Sequence, residues 1–82
     1  MTKRILLVEN EKNLARFIDL ELQKAGYVVD LAETGQEGLA LAKDVDYDLL
    51  LLNYDLQDMT ASDFAKQLSL IKPASVIIVL AS

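Results

Sequence analysis

The chain has 82 residues, with 13 acidic against 8 basic side chains, a formal net charge of -5, and no histidine, cysteine or tryptophan. That length bounds it to one small domain, near the size at which a single apolar core becomes marginal. The acidic balance excludes a nucleic-acid surface on this segment, and the lack of cysteine excludes a disulfide framework, thiol chemistry and zinc-thiolate sites. The longest purely apolar run, residues 76–81, is far too short to span a bilayer, and no signal-peptide pattern opens the chain. The expectation is a cytoplasmic module with no membrane contact.

Lys3 and Arg4 precede Ile5, Leu6, Leu7 and Val8, an apolar run without alternation that predicts a strand buried on both faces. The run empties into the acidic loop Glu9, Asn10 and Glu11, where Asn10 suits the N-cap of a following helix. Leu14, Phe17, Ile18, Leu22 and Ala25 recur at helical spacing, so a helix is expected over 11–25, with Gly26 as its left-handed stop. Leu20 falls off that stripe, beside Asn13 and Arg16. Residues 27–31 alternate, with Tyr27, Val29 and Leu31 on one side and Val28 and Asp30 on the other, as suits an edge strand. Thr34 and Glu37 have capping-box spacing and start a helix expected to reach Lys43, whose Leu39, Ala40 and Ala42 are small enough for close packing on a sheet.

Leu49, Leu50, Leu51 and Leu52 are too few for a helix and predict a second doubly buried strand, ending at Asn53. A loop of residues 54–59 leads to Thr60 and Asp63, another capping-box-like start. Phe64, Leu68 and Ile71 continue at spacings of four and three until Lys72 and Pro73 end the helix. Residues 76–80 form a further buried-type strand. The element order is β-α-β-α-β-α-β with short connections. Right-handed crossovers and an edge-like second strand predict a three-layer α/β fold with a parallel sheet ordered 2-1-3-4. One face of that sheet is covered by the first helix alone, which cannot roof it all. Ligands of such folds sit at the carboxyl ends of the strands, which puts Glu9, Asn10 and Asn53 in the candidate site.

From residues 3–11 through 26–29, 32–39 and 46–53, the chain resembles the receiver domain of two-component response regulators, in register over all 82 residues. The resemblance implies a flavodoxin-like receiver fold whose fifth strand and last two helices would follow Ser82, which accounts for the unroofed face and offers Leu20 a place beside the last helix. It implies a pair of acids after the first strand, an aspartate at the end of the third that takes a phosphoryl group with Mg2+, a hydroxyl residue at the end of the fourth, and a lysine after the fifth. Carried over, Glu9 keeps one acid and Asn10 replaces the other. Asn53 stands at the phosphoacceptor position, and Ala81, or the adjacent Ser82, at the hydroxyl position. The loop that usually reads Pro-x-x-Asp-Gly is here Gln57, Asp58, Met59, Thr60 and Ala61.

A neutral amide is a far poorer nucleophile than a carboxylate, so Asn53 is not expected to be phosphorylated. Mg2+ needs hard oxygen ligands, and with two of three pocket carboxylates replaced, Glu9 is expected to hold a metal weakly at most. The same replacements relieve like-charge repulsion around Glu9. In the pocket loop, Asp55 and Asp58 could supply a stray oxygen near Thr60, with the Asp55 side chain facing solvent. This acidic loop reads as turn and cap chemistry, since it lacks the glycine and terminal acid of a calcium-binding EF-hand. Lys12, Asn13 and Arg16 lie where the resemblance implies contact with a histidine kinase, a phosphotransfer protein or another receiver; a solvated helix face is the plainer reading.

The expected function is therefore non-enzymatic: a pseudo-receiver, part of a transcriptional regulator, acting by protein contact and self-association. Two alternatives fit these residues less well. An ordinary phosphorylated receiver carrying an Asp-to-Asn change at Asn53 would leave Asn10, Gln57, Thr60 and Ala61 unexplained. A flavodoxin-like cofactor protein would want a Gly, Ser or Thr phosphate cradle where Glu9, Asn10 and Glu11 present acids.

Overall fold

The computed structural model describes residues 2–80; Ala81 and Ser82, the two candidates for the hydroxyl position, lie outside the described residues. The elements are β1 (Arg4–Val8), α1 (Lys12–Lys24), β2 (Val28–Ala32), α2 (Gly35–Asp44), β3 (Leu49–Asn53), α3 (Ala61–Ser69) and β4 (Ile77–Leu80). All strand pairs are parallel and the sheet order is β2-β1-β3-β4, as the pattern of apolar runs and short crossovers predicts. Among the described residues, no helix is long and apolar enough to cross a membrane.

Alternation along β1 and β3 divides the core. Ile5, Leu7 and Leu51 face α1 through the buried Ala15, while Leu6, Val8, Leu50 and Leu52 face α2 and α3 and enclose Phe64 and Leu68. In the second layer Gly38 lets α2 approach β1 closely: a Cβ there would lie 2.8 Å from Val8 Cγ2 and 3.0 Å from Phe64 Cε2. Of the residues expected to pack from α2, Ala42 is buried and Leu39 half-buried, but Ala40 is exposed.

The expected stripe on α1 is displaced. Ala15, Ile18 and Leu22 make the core contact, whereas Leu14 is exposed and Phe17 is 62% exposed. The helix packs mainly on β2, at the edge of the sheet, with the short Ala15 side chain between it and β1. Among the described residues, the flank carrying Leu14, Phe17 and Leu20 is thereby left exposed. Gly26 does stop the helix, at φ 96°, with the Gly26 and Tyr27 amides donating to Gln23 and Leu22.

β4 starts at Ile77, one residue later than the apolar run, and is the edge strand that the order 2-1-3-4 makes it: Ile78 is 47% exposed on the α1 side and Val79 is exposed on the other. An apolar run without alternation marks a strand as buried on both faces only when layers cover both faces, and here α1 does not reach β4. Ile71 likewise lies beyond the end of α3 and is exposed.

Candidate functional site

Parallel pairing brings the carboxyl ends of the strands level. Val8 lies opposite both Ala32 and Leu52, and Asn53 opposite Leu80. Glu9 leaves β1 with its amide donating to the Ala32 carbonyl at 3.0 Å, and Tyr54 leaves β3 donating to Leu80 at 3.0 Å. The side chains of Glu9 and Asn53 therefore meet over the crevice between β1 and β3.

Glu9 is 2% exposed, the single charged side chain in the buried set of described residues. A buried carboxylate needs donors. Its donors are Asn53 Nδ2, at 2.9 Å from Oε1 and 2.8 Å from Oε2, and the Glu11 amide, 2.8 Å from Oε2. Asn53 Nδ2 also approaches Asn10 Oδ1 at 3.3 Å. The other end of the carboxamide accepts the Asp55 amide at 2.9 Å, which fixes its orientation: turned over, its oxygen would face the Glu9 carboxylate and its NH2 would face an N–H. The pocket is thus a knot of hydrogen bonds in which Asn53 is the hub.

Asn10 was expected to cap α1 and does not. Glu11 is the N-cap, its carboxylate accepting the Asn13 amide at 2.9 Å and the Leu14 amide at 2.7 Å. A carboxylate can serve two helix N–H groups at once and favours the positive end of the helix dipole, while the Asn10 oxygen is turned towards Asn53. Lys12, Asn13 and Arg16 follow in the first turns of α1, all exposed, and line a groove against Leu31 and Glu33 at the end of β2.

The pocket loop is also tied down. Asp55 and Thr60 form an antiparallel bridge, the Ala61 amide donates to Tyr54 at 3.3 Å, and Thr60 caps α3 by accepting the Asp63 amide at 3.1 Å. Asp58 does not contribute an oxygen to the pocket. It turns away to accept the Gly35 amide at 2.8 Å and the Gln36 amide at 2.9 Å, capping α2 jointly with Thr34, which serves Glu37 at 3.1 Å. Turn and cap chemistry was the expectation for this loop; its target on α2 was not, because the partners lie 22 and 23 residues away and leave no local signal.

The Gln36 and Gly35 amides hold the Asp58 carboxyl below its usual range. A carboxyl whose folded pKa is depressed stabilises above its ordinary value, and that contribution is lost as the pH falls through the lowered one. Asp58→Ala should therefore lose about 1 kcal/mol at about pH 7, the lower range for a helix cap because the group is exposed, and almost nothing at about pH 2. Urea titrations of both proteins at the two pH values check this; a deficit independent of pH would show that packing, not the charged cap, is responsible.

At the opposite end of the sheet, Arg4 and the Tyr47 hydroxyl both donate to Asp30, at 3.0 and 2.7 Å. The Arg4 hydrogen bond lowers the Asp30 pKa, while burial and the bond to Asp30 raise that of Tyr47. This cluster joins β1, β2 and the start of β3 and is remote from the pocket.

The family model for the response regulator receiver domain matches residues 5–82, nearly the whole chain. The chain belongs to the response regulator receiver family. Among curated relatives, this receiver is 42% identical to response regulator ArlR of Staphylococcus saprophyticus over 99% of its own length, and 38% identical to the cell cycle transcriptional regulator CtrA of Caulobacter vibrioides over 94%. It spans 36% and 33% of those two proteins, about a third of their length. A solved streptococcal structure, described as a family of redox sensors evolved from two-component response regulators, superposes with a TM-score of 0.88 at 61% identity, over 94% of this receiver and 34% of that chain.

Proposed function

We propose that this receiver works as a pseudo-receiver: it belongs to a transcriptional regulator and transmits its signal by protein contact, without phosphoryl capture at Asn53. The supporting observation is the hydrogen-bond knot. The side chain at the phosphoacceptor position is an amide, and its NH2 group is engaged with both oxygens of Glu9. Amide hydrogens aimed at the carboxylate occupy the directions from which a divalent cation would be held, so the donor set does not fit Mg2+. Similarity to a structure described as a redox sensor that evolved from response regulators is consistent with a receiver put to another input.

The reading carries its partners with it. Lys12, Asn13 and Arg16 present the contact face to a histidine kinase, a phosphotransfer protein or another receiver; the protein is cytoplasmic; and residues 1–82 form the amino-terminal part of a receiver joined to a DNA-binding effector. With no phosphoryl switch, the conformational balance is set by a partner or by self-association.

Incubation with acetyl phosphate and Mg2+ followed by intact-protein mass spectrometry tests the central claim. The expected spectrum shows no adduct. A gain of one phosphoryl group on the chain would overturn the reading.

A further inference from the structure

Residues 53–60, from the last residue of β3 to the N-cap of α3, are held at both ends and in the middle. Asn53 anchors one end, its carboxamide bound to Glu9 on one side and to the Asp55 amide on the other. Thr60 anchors the other, through its bridge to Asp55 and its cap on α3. Between them Leu56 is fully buried in the core under α2 and α3. Asp58 then reaches out to Gly35 and Gln36, and Met59 packs so tightly on Gly35 that a Cβ there would lie 2.5 Å from Met59 Cγ.

The first amides of a helix have no acceptor within the helix. For Gly35 and Gln36 the acceptor is the Asp58 carboxylate. The order of the first turn of α2 therefore depends on where the loop places Asp58, and the loop's path out of the sheet is set by Asn53. We propose that residues 53–60 act as a strap that couples the pocket to the amino end of α2, so that a change in the hydrogen bonding of Asn53 is read out as a loosening or tightening of the first turn of α2. This goes beyond the question of phosphoryl capture and does not depend on its answer.

The competing account is that Leu56 and Thr60 hold Asp58 in place whatever Asn53 does. Amide hydrogen exchange separates the two, since coupling between sites must be demonstrated by perturbing one and observing the other. In Asn53→Ala, the Asp55 amide loses its acceptor, and the strap predicts exchange about tenfold faster at Asp55 and also at Gly35 and Gln36, with Leu7 in the central strand unchanged. Unchanged exchange at Gly35 and Gln36 would overturn the proposal. Should Asn53→Ala also accelerate Leu7, showing global destabilisation, the reciprocal variant decides: coupling is mutual, so Asp58→Ala, altered far from the pocket, must speed exchange at Asp55. An Asp55 amide as protected as in the wild type would overturn the proposal equally. The phosphoryl-transfer test reads a mass on the intact chain, so failure of one proposal is distinguishable from failure of the other.

Discussion

Asn53→Asp is expected to lower the thermal midpoint by about 10–20 °C in the absence of divalent cations and to regain most of that loss in excess Mg2+, while the wild type responds to neither condition. The change is nearly isosteric, so packing is preserved and electrostatics decides the outcome. The carboxamide donates to both oxygens of a carboxylate that is 2% exposed. An aspartate has no hydrogen to donate, and its oxygen would sit within about 3 Å of the Glu9 oxygens, turning two charge-assisted hydrogen bonds into a contact between like charges. Lost bonds and an uncompensated buried charge together are worth roughly 2–3 kcal/mol, and each kcal/mol moves the midpoint of a domain this small by several degrees. A divalent cation between the carboxylates restores the compensation that the amide provides in the wild type. Calorimetry of both proteins with and without Mg2+ makes the measurement. Equal midpoints in all four samples would mean that the contact between Asn53 and Glu9 contributes nothing and that Asn53 is not the hub of the pocket.

The second large effect concerns assembly. We expect residues 1–82 to self-associate at high micromolar concentration, with light scattering giving twice the monomer mass of 9.1 kDa. The reason is the apolar surface that α1 and β4 leave uncovered: Phe17 and Leu20 are 62% and 51% exposed on the helix, and Ile78 is 47% exposed on a strand whose outer edge is unpaired among the described residues. Contiguous apolar surface and an open apolar strand edge both favour association. Introducing a charge in each element, Phe17→Lys with Ile78→Lys, should return the monomer without disturbing the core, because neither side chain is buried. A wild-type monomer at that concentration would rule the surface out as an interface between copies.

The parts of this receiver that were legible in the sequence are those written locally. Four apolar residues in a row at 5–8 and again at 49–52 announce strands covered on both faces, and they are the central pair of the sheet. The polar residues that end them, Glu9 and Asn53, mark the crevice because strand ends in a parallel sheet collect there. The caps at Thr34 and Thr60 follow from spacing alone. Three features were not legible. Glu11 displaced Asn10 as a cap because Asn10 had another claim on its oxygen, from a residue 43 positions away. Leu14 and Phe17, on one flank of the expected α1 stripe, stayed exposed because β4 lies out of the helix's reach, while Ile18 and Leu22 packed on the core. Asp58 found its partners on α2 across a loop, a strand and a helix.

By itself the sequence determined the element order, the parallel sheet and the identity of the amide at its crevice, since periodicity, turn residues and a missing carboxylate are properties of neighbouring positions. Only the tertiary structure decided what that amide does. A carboxamide carries both a donor and an acceptor, and which of them faces Glu9 depends on the register that brings β1 and β3 level and on the Asp55 amide that claims the oxygen.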